Sequence, residues 1–461
     1  MGGLRLPLVR SMTLAVTERC NLRCAYCYVP VTRGRTMDAG VADAAVDLLA
    51  SHAPPDGTVT LSFFGGEPFL AQRTVRRATE RARPIGGGRR RLRLTTTTNG
   101  LALDASALEL CRASGMELAV SVDGDESADE RPFAGGRASA PSLMAKLPAI
   151  LSLDPGAKLI ARMTVTPDNV GSLSRGVRAL ARSGFRRIFW LPAYEMDWSD
   201  EAVSAYGHEM QHIGAWLAAQ RRAGASVPEL PAWRGIDQRL TRGREKAACG
   251  AGVSSVAVAT DGRVLACYRL LSEPDGRAHE LGDVARGFTN EAALALFASL
   301  DPAGLQPEDG DCGSCTARDG CTHFCPALGL AMRGDANAVP ASVCRLMRAA
   351  VEGVRASLAN RSRRPKLAWA AAAMVAAASS AACGGDISGG LCFDAGGGGL
   401  CPVMSDAAAE ASGDGGIVFG GVCDAQDGAP ADVQADDVQA QDATDDSYGG
   451  GLCPPPGPGI C

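Results

Sequence analysis

Aromatic residues make up only 5% of this chain, and histidine occurs five times in 461 residues. A surface of stacked rings for nucleic acid is therefore not indicated. Basic residues stop altogether: no Lys or Arg follows Lys366, whereas 13 of the 51 acidic residues do. Up to that point 46 Lys and Arg face 38 Asp and Glu, so a net-basic portion precedes an acidic one. No long apolar run follows Met1, which argues against an export signal there. After Cys27 neither Cys nor His returns before Tyr28 to Ser51 has passed, so nothing nearby closes a tetrahedral zinc site on the first cysteines.

Cysteine, by contrast, is abundant, with 17 residues. Disulfide scaffolds of secreted proteins are usually short. A chain of this length has the material for two or three domains with packed cores. Clustered cysteines in such a chain point to bound metal and a reducing compartment, so the enzyme portion reads as cytoplasmic.

Strand and helix patterns alternate through the first half. Residues 12–17, 59–64, 92–98, 117–122, 159–166 and 187–191 read as strands. Val41, Ala44, Ala45, Leu48 and Leu49 recur with helical period. Further helices are expected at about 70–83, 104–115, 141–152, 170–183 and 200–223. Strict alternation predicts βα units and a parallel sheet. In such folds the site forms at the carboxyl ends of the strands.

The first strand delivers Cys20-Asn21-Leu22-Arg23-Cys24-Ala25-Tyr26-Cys27, a C-x3-C-x2-C spacing. Three thiolates on one loop can hold three irons of a [4Fe–4S] cube and leave the fourth open. Taken alone, the three cysteines fit a zinc knuckle or a disulfide pair equally well. Three further stretches follow strands in order: Gly65-Gly66-Glu67-Pro68, Thr98-Asn99-Gly100 and Ser121-Val122-Asp123-Gly124. Together these motifs resemble those of the radical S-adenosylmethionine (SAM) enzymes.

The resemblance implies a partial, TIM-like (β/α)6 barrel within an α/β fold. It implies catalytic ligation of a cluster by Cys20, Cys24 and Cys27, with SAM chelated to the open iron and cleaved to a 5′-deoxyadenosyl radical. It also implies SAM contacts from Tyr26, Gly65, Gly66, Glu67, Pro68, Asn99, Ser121, Asp123 and Arg162. Arg131 is a further candidate partner of the SAM carboxylate. Cys111 lies at helical spacing from Ala107 and reads as a core thiol.

A second cysteine field begins at Cys249. Gly262 lies in an Asp261-Gly262 turn between apolar strands at 253–259 and 264–266, a hairpin signal, and Cys267 follows. Then come Cys312-x2-Cys315-x5-Cys321-x3-Cys325 and Cys344. This order resembles the SPASM extension of radical SAM peptide maturases, which implies two auxiliary clusters and three [4Fe–4S] clusters in all. Cys312, Cys315, Cys321 and Cys344 would close one auxiliary cluster. Cys249, Cys267 and Cys325 would hold the other, with His323 a candidate fourth ligand. The resemblance spans about residues 10–350.

Domains are accordingly expected at 1–230 (barrel), 231–350 (SPASM), 351–382 (linker) and 383–461 (tail). Residues 361–383 carry basic, apolar and then small residues before Cys383, in the manner of a bacterial lipoprotein signal placed inside a chain. Ser380 stands where such a signal has Leu, and the apolar run is short for a transmembrane helix. Beyond it, Gly-Gly-(Leu/Val)-Cys recurs, ending at Cys392, Cys401, Cys423 and Cys453. The Gly, Ala and Asp composition predicts a disordered tail. It reads as a low-complexity extension, a precursor-like peptide fused to its modifying enzyme, or a lipoprotein joined by a merged gene.

The expected activity is radical modification of a ribosomal peptide, with thioether formation at cysteine favoured by the tail. The expected partners are a peptide and an external electron donor such as flavodoxin or ferredoxin, with no nucleic acid. Sulfatase-maturase-like formylglycine formation is the alternative within enzymes. Those enzymes usually carry an Asp directly after the second cysteine of the extension, where Tyr268 stands here. A non-catalytic iron–sulfur electron-transfer or scaffold protein is the alternative from another class.

Overall fold

The computed structural model describes residues 6–31, 33–124, 130–153, 159–243, 249–272, 279–300, 305–322 and 325–363. His323, the apolar run after Lys366 and the tail cysteines lie outside the described residues.

Six strands alternate with helices as the patterns predict: β1 (Ser11–Thr17), β2 (Gly57–Gly65), β3 (Arg90–Thr98), β4 (Glu117–Ser121), β5 (Leu159–Val165) and β6 (Arg187–Pro192). Each pairs in parallel with its neighbour in sequence order. Five helices cross between them: α1 (Ala39–His52), α2 (Gln72–Ala82), α3 (Ala105–Ser114), α4 (Ala140–Leu151) and α5 (Leu173–Ser183). Every residue of β1 is buried, as a central parallel strand covered on both faces requires. Helix boundaries follow local chemistry. The Asp104 carboxylate accepts from the Ala107 N–H to open α3, and Gly115 closes it in the left-handed region at φ 65°.

After α6 (Asp200–Arg222), a Pro- and Arg-containing stretch with no element expected from the sequence is a helix, α7 (Pro231–Arg242). Pro231 occupies its first turn, where the missing N–H costs nothing, and Trp233 and Ile236 are buried. The expected hairpin is β7 (Ser255–Val258) and β8 (Arg263–Leu265), followed by β9 (Glu280–Asp283) and β10 (Gly287–Phe288). Here β7 pairs in parallel with β1, on the side opposite β2. Among the described residues the strands therefore make one ten-stranded sheet, β10-β9-β8-β7-β1-β2-β3-β4-β5-β6, and the boundary expected at residue 230 is not a break in it.

The rest comprises α8 (Glu291–Ala298), a short parallel pair β11 (Gln306–Pro307) and β12 (Ala338–Val339), α9 (Pro326–Arg333) and α10 (Ala341–Arg363). Helix α10 runs unbroken from Ala341 to Arg363, across the boundary expected at 350. Small residues let it lie close on α6. A Cβ at Gly353 would sit 2.1 Å from the Gly207 carbonyl oxygen, and one at Gly214 would sit 2.3 Å from Ser357 Oγ. No helix among the described residues is long and apolar enough to cross a membrane.

Candidate active site

All six parallel strands point the same way, so the segments leaving β1 to β6 gather at one end of the sheet. The first carries Cys20, Cys24 and Cys27. Its base is pinned by a pair absent from the expectations. The buried Glu18 carboxylate accepts from Arg35 at 2.9 Å and from Thr260 Oγ1 at 3.1 Å. Arg35 in turn reaches Asp261 at 3.1 Å. Strand β1, the loop return and the second cysteine field are thereby tied together. No short-range spacing announces a link between residues 35 and 261.

The glycine pair after β2 serves the protein's own backbone, rather than a ligand's approach alone. A Cβ on Gly65, which lies at φ 130°, would fall 2.1 Å from the Thr17 carbonyl oxygen. One on Gly66 would fall 2.3 Å from that of Arg19. Both N–H groups ahead of the turn are used, Gly66 donating to Thr17 and Glu67 to Arg19. We expect Gly66→Ala to force the cysteine loop outward, costing about 1–3 kcal/mol. Reduced iron uptake and a lower unfolding midpoint would report it; parental values for both would show that the loop yields freely.

Glu67 has no exposed surface. Its carboxylate accepts from the N–H of Phe69 (3.1 Å) and Asn99 (2.7 Å) and from Thr98 Oγ1 (2.8 Å). Burial pushes this carboxyl up to about 7, against those three donors. It thus locks the β2 turn to the end of β3, and Pro68 opens the single 3-10 turn that follows. Asn99 Nδ2 donates to Asn21 Oδ1 at 2.8 Å and lies 3.9 Å from Cys20 Sγ. Among the described residues the cysteine loop is also held by a bridge from Leu22 to Phe133.

On the other flank, Asp123 and Arg131 form a buried bidentate ion pair, with bonds of 2.6 and 2.7 Å. Asp123 Oδ1 also accepts the Thr164 N–H at 2.9 Å. A carboxylate offers about four acceptor positions, so among the described residues one remains on Oδ2. The Arg131 guanidinium lies 5.5 Å from the Tyr26 ring centroid. Among the described residues Tyr26 Oη is buried with no hydrogen bond of good geometry, and Thr164 and the Cys24 thiol lie beside it. Ser121 is half-buried and pairs in register with Arg162, whose guanidinium reaches Thr97 Oγ1 at 3.5 Å. Arg131 is thus committed to Asp123, whereas Arg162 lies across the strand from Ser121.

The sulfurs have a shared signature. The Leu22 N–H donates to Cys20 Sγ at 3.4 Å. In the same i+2 relation the amides of Val29, Ala251, Arg269 and Ala327 favour the thiolates of Cys27, Cys249, Cys267 and Cys325. Cys111, buried in α3, has no such donor, and burial alone pushes it up to about 12, in keeping with a core thiol. Burial also raises Cys20, to about 11, with Glu67, Cys24 and Cys27 adding repulsion. Burial raises Cys249 and Cys344 too, with Cys325 and Cys267 adding to the first and Cys312 and Cys315 to the second. The thiols therefore fall into sets that sense each other's charge. Yet among the described residues no three His, Cys, Asp or Glu side chains converge closely enough for a single metal ion. Grouped thiols with N–H groups on their sulfurs suit iron–sulfur ligation.

Residues 14–139 match the model of the radical SAM superfamily. Over 145 residues the chain is 31% identical to GTP 3′,8-cyclase of Xanthomonas campestris pv. campestris, covering 31% of this chain and 42% of the cyclase. Over 132 residues it is 27% identical to an uncharacterised protein of Methanocaldococcus jannaschii, covering 28% and 45%. The chain thus spans less than half the length of these relatives. Among solved structures, anSMEcpe with bound AdoMet and Kp18Cys peptide superposes with a TM-score of 0.60 at 15% identity, covering 76% of this chain and 97% of that one. SuiB of Streptococcus suis bound to precursor peptide SuiA gives 0.50 at 14% identity, covering 74% and 76%. At these identities the likeness is one of fold. Across residues 14–139 the strands and the strand-end cysteine loop are similar to the radical SAM superfamily.

Proposed function

We propose that the chain is a radical SAM peptide-modifying enzyme of the SPASM type, with thioether formation at cysteine as the favoured outcome. The observation that supports this most is the second cysteine field, whose Cys249 and Cys267 flank β7 and β8 of the same ten-stranded sheet as β1. Solved structures of this fold include two with peptide bound. Cys20, Cys24 and Cys27 would hold the catalytic cluster, and the remaining seven cysteines from Cys249 to Cys344 two auxiliary ones. When bound, the catalytic cluster and SAM supply reductive cleavage to a 5′-deoxyadenosyl radical.

The chain's own residues shape that site. Glu67 and Asn99 fix the loop and the ends of β2 and β3. Ser121 and the remaining acceptor position of Asp123 hold the SAM ribose, Tyr26 supplies an aromatic face, and Arg162 lies beside them. Tyr268 is buried and offers no carboxylate after Cys267, which disfavours the formylglycine reading. The physiological reductant would be a small electron-transfer protein.

The test is release of 5′-deoxyadenosine from SAM by the reduced, reconstituted protein, followed by mass spectrometry of residues 383–461. Each crosslink should remove about two hydrogens, at Cys392, Cys401, Cys423 or Cys453. Absence of deoxyadenosine would sink the radical SAM reading. Deoxyadenosine with an unchanged tail mass, while another peptide is modified, would leave the enzyme and discard the tail as substrate.

A further inference from the structure

One charged pair lies between the two cysteine fields and is used by none of the roles above. Arg269 leaves Cys267 in a 3-10 turn, Tyr268–Ser272. Its side chain is 8% exposed and is bonded to Glu195, which follows β6 and is 38% exposed. The guanidinium lies 5.0 Å from the ring centroid of Tyr28, the residue after Cys27. Tyr28, Phe64 and Tyr268 pack around it as a ring cluster, with centroids 4.8 to 6.2 Å apart. Burial raises the Cys325 thiol, and Arg269 opposes that rise while Glu195 adds to it. Arg269 also favours the Cys267 thiolate through both its charge and its backbone N–H.

We propose that Arg269 and Glu195 are opposed charges that set the reduction potential of the iron–sulfur group held by Cys249, Cys267 and Cys325. The inference rests on reading those thiols as cluster ligands. Reduction adds one negative charge to such a group. A cation fixed beside it in a water-poor, aromatic surround stabilises that charge more than it would in water. A carboxylate on the cation's far side offsets part of this, and its greater exposure lets solvent screen it. Arg269 and Glu195 are positioning residues, acting on the group through space.

The experiment is an electron paramagnetic resonance redox titration of the full, reconstituted chain, without peptide. Arg269→Gln should lower the midpoint, changing the reduced-to-oxidised ratio at fixed potential about tenfold, which is about 59 mV for one electron. Glu195→Gln should raise it, by a smaller factor, and Arg269→Lys should stay near the parent. Opposite signs are the signature, since a merely structural disturbance has no reason to reverse with the sign of the lost charge. If Arg269→Gln fails to fold, Glu195→Gln still decides, because that side chain is partly solvated. Midpoints that stay put, or move the same way in both Gln variants, overturn the proposal. A separate iron count guards the underlying reading: parental protein whose iron does not fall on replacing Cys267 and Cys325 has no cluster there, and the proposal falls with it.

Discussion

Replacing Cys20, Cys24 and Cys27 together by alanine is expected to abolish SAM cleavage and to lower bound iron from about twelve to about eight atoms per chain. The expected loss is total because the three thiols leave one loop, and no other described cysteine joins their set. The loop should nevertheless keep its course. Glu18 and Arg35 pin its base, Gly65 and Gly66 take its backbone, and Asn99 holds Asn21, all without the sulfurs. The eight remaining irons would therefore sit in a folded protein, and circular dichroism should match the parent. Full SAM cleavage by the triple variant would remove the catalytic assignment, and unchanged iron would place the cluster elsewhere.

Much of this frame is legible in the residues themselves. Each of the six parallel strands falls within two residues of the range read from apolar runs and turn residues, because a parallel strand buried on both faces has little compositional freedom. Cysteine spacing is legible for a similar reason, since ligands on one loop must lie close in sequence. Helix α7 is not legible as a helix: Pro231 and Gly235 look like breaker chemistry. What makes it a helix is burial of Trp233, whose indole N–H reaches the Met210 carbonyl at 3.0 Å, a contact across 23 residues. The length of helix α10 is illegible for the opposite reason. The cysteine pattern ends at Cys344, whereas the packing against α6 continues through Gly353.

The polar framework of the site is the least legible part. Glu18 with Arg35, Asp261 with Arg35, and Glu195 with Arg269 join residues 17, 226 and 74 positions apart. Nothing in a local window marks them, because charge pairs between separate elements carry no period. The glycines of Gly65-Gly66 are legible as a need for close approach, but not the backbone that comes close on the protein's own side. A missing side chain shows that something comes near, and only the fold shows that it is the carbonyls of Thr17 and Arg19.

Asp123 and Arg131 carry the second large effect. Both side chains are nearly buried, 5% and 9% exposed, so removing either leaves the other's charge without a partner. Such losses typically cost about 3–5 kcal/mol, a large fraction of the stability of an ordinary domain. If Asp123 also holds the SAM ribose, Asp123→Ala loses a charge-assisted bond of about 1.5–3 kcal/mol, and SAM binding weakens roughly ten- to a hundredfold. A single variant mixes the two consequences, because a loosened wall also binds poorly. Replacing both residues by leucine separates them. With neither charge present the burial penalty disappears, and the unfolding midpoint should recover toward the parent. SAM affinity, measured by equilibrium binding to the reconstituted protein, should stay low in the double variant because the acceptor is gone. Recovery of affinity along with stability would mean that the ribose is held elsewhere and Asp123 serves only to pair Arg131. A parental midpoint in Asp123→Ala would mean instead that the Arg131 charge finds water, and that the wall between β4 and β5 is open.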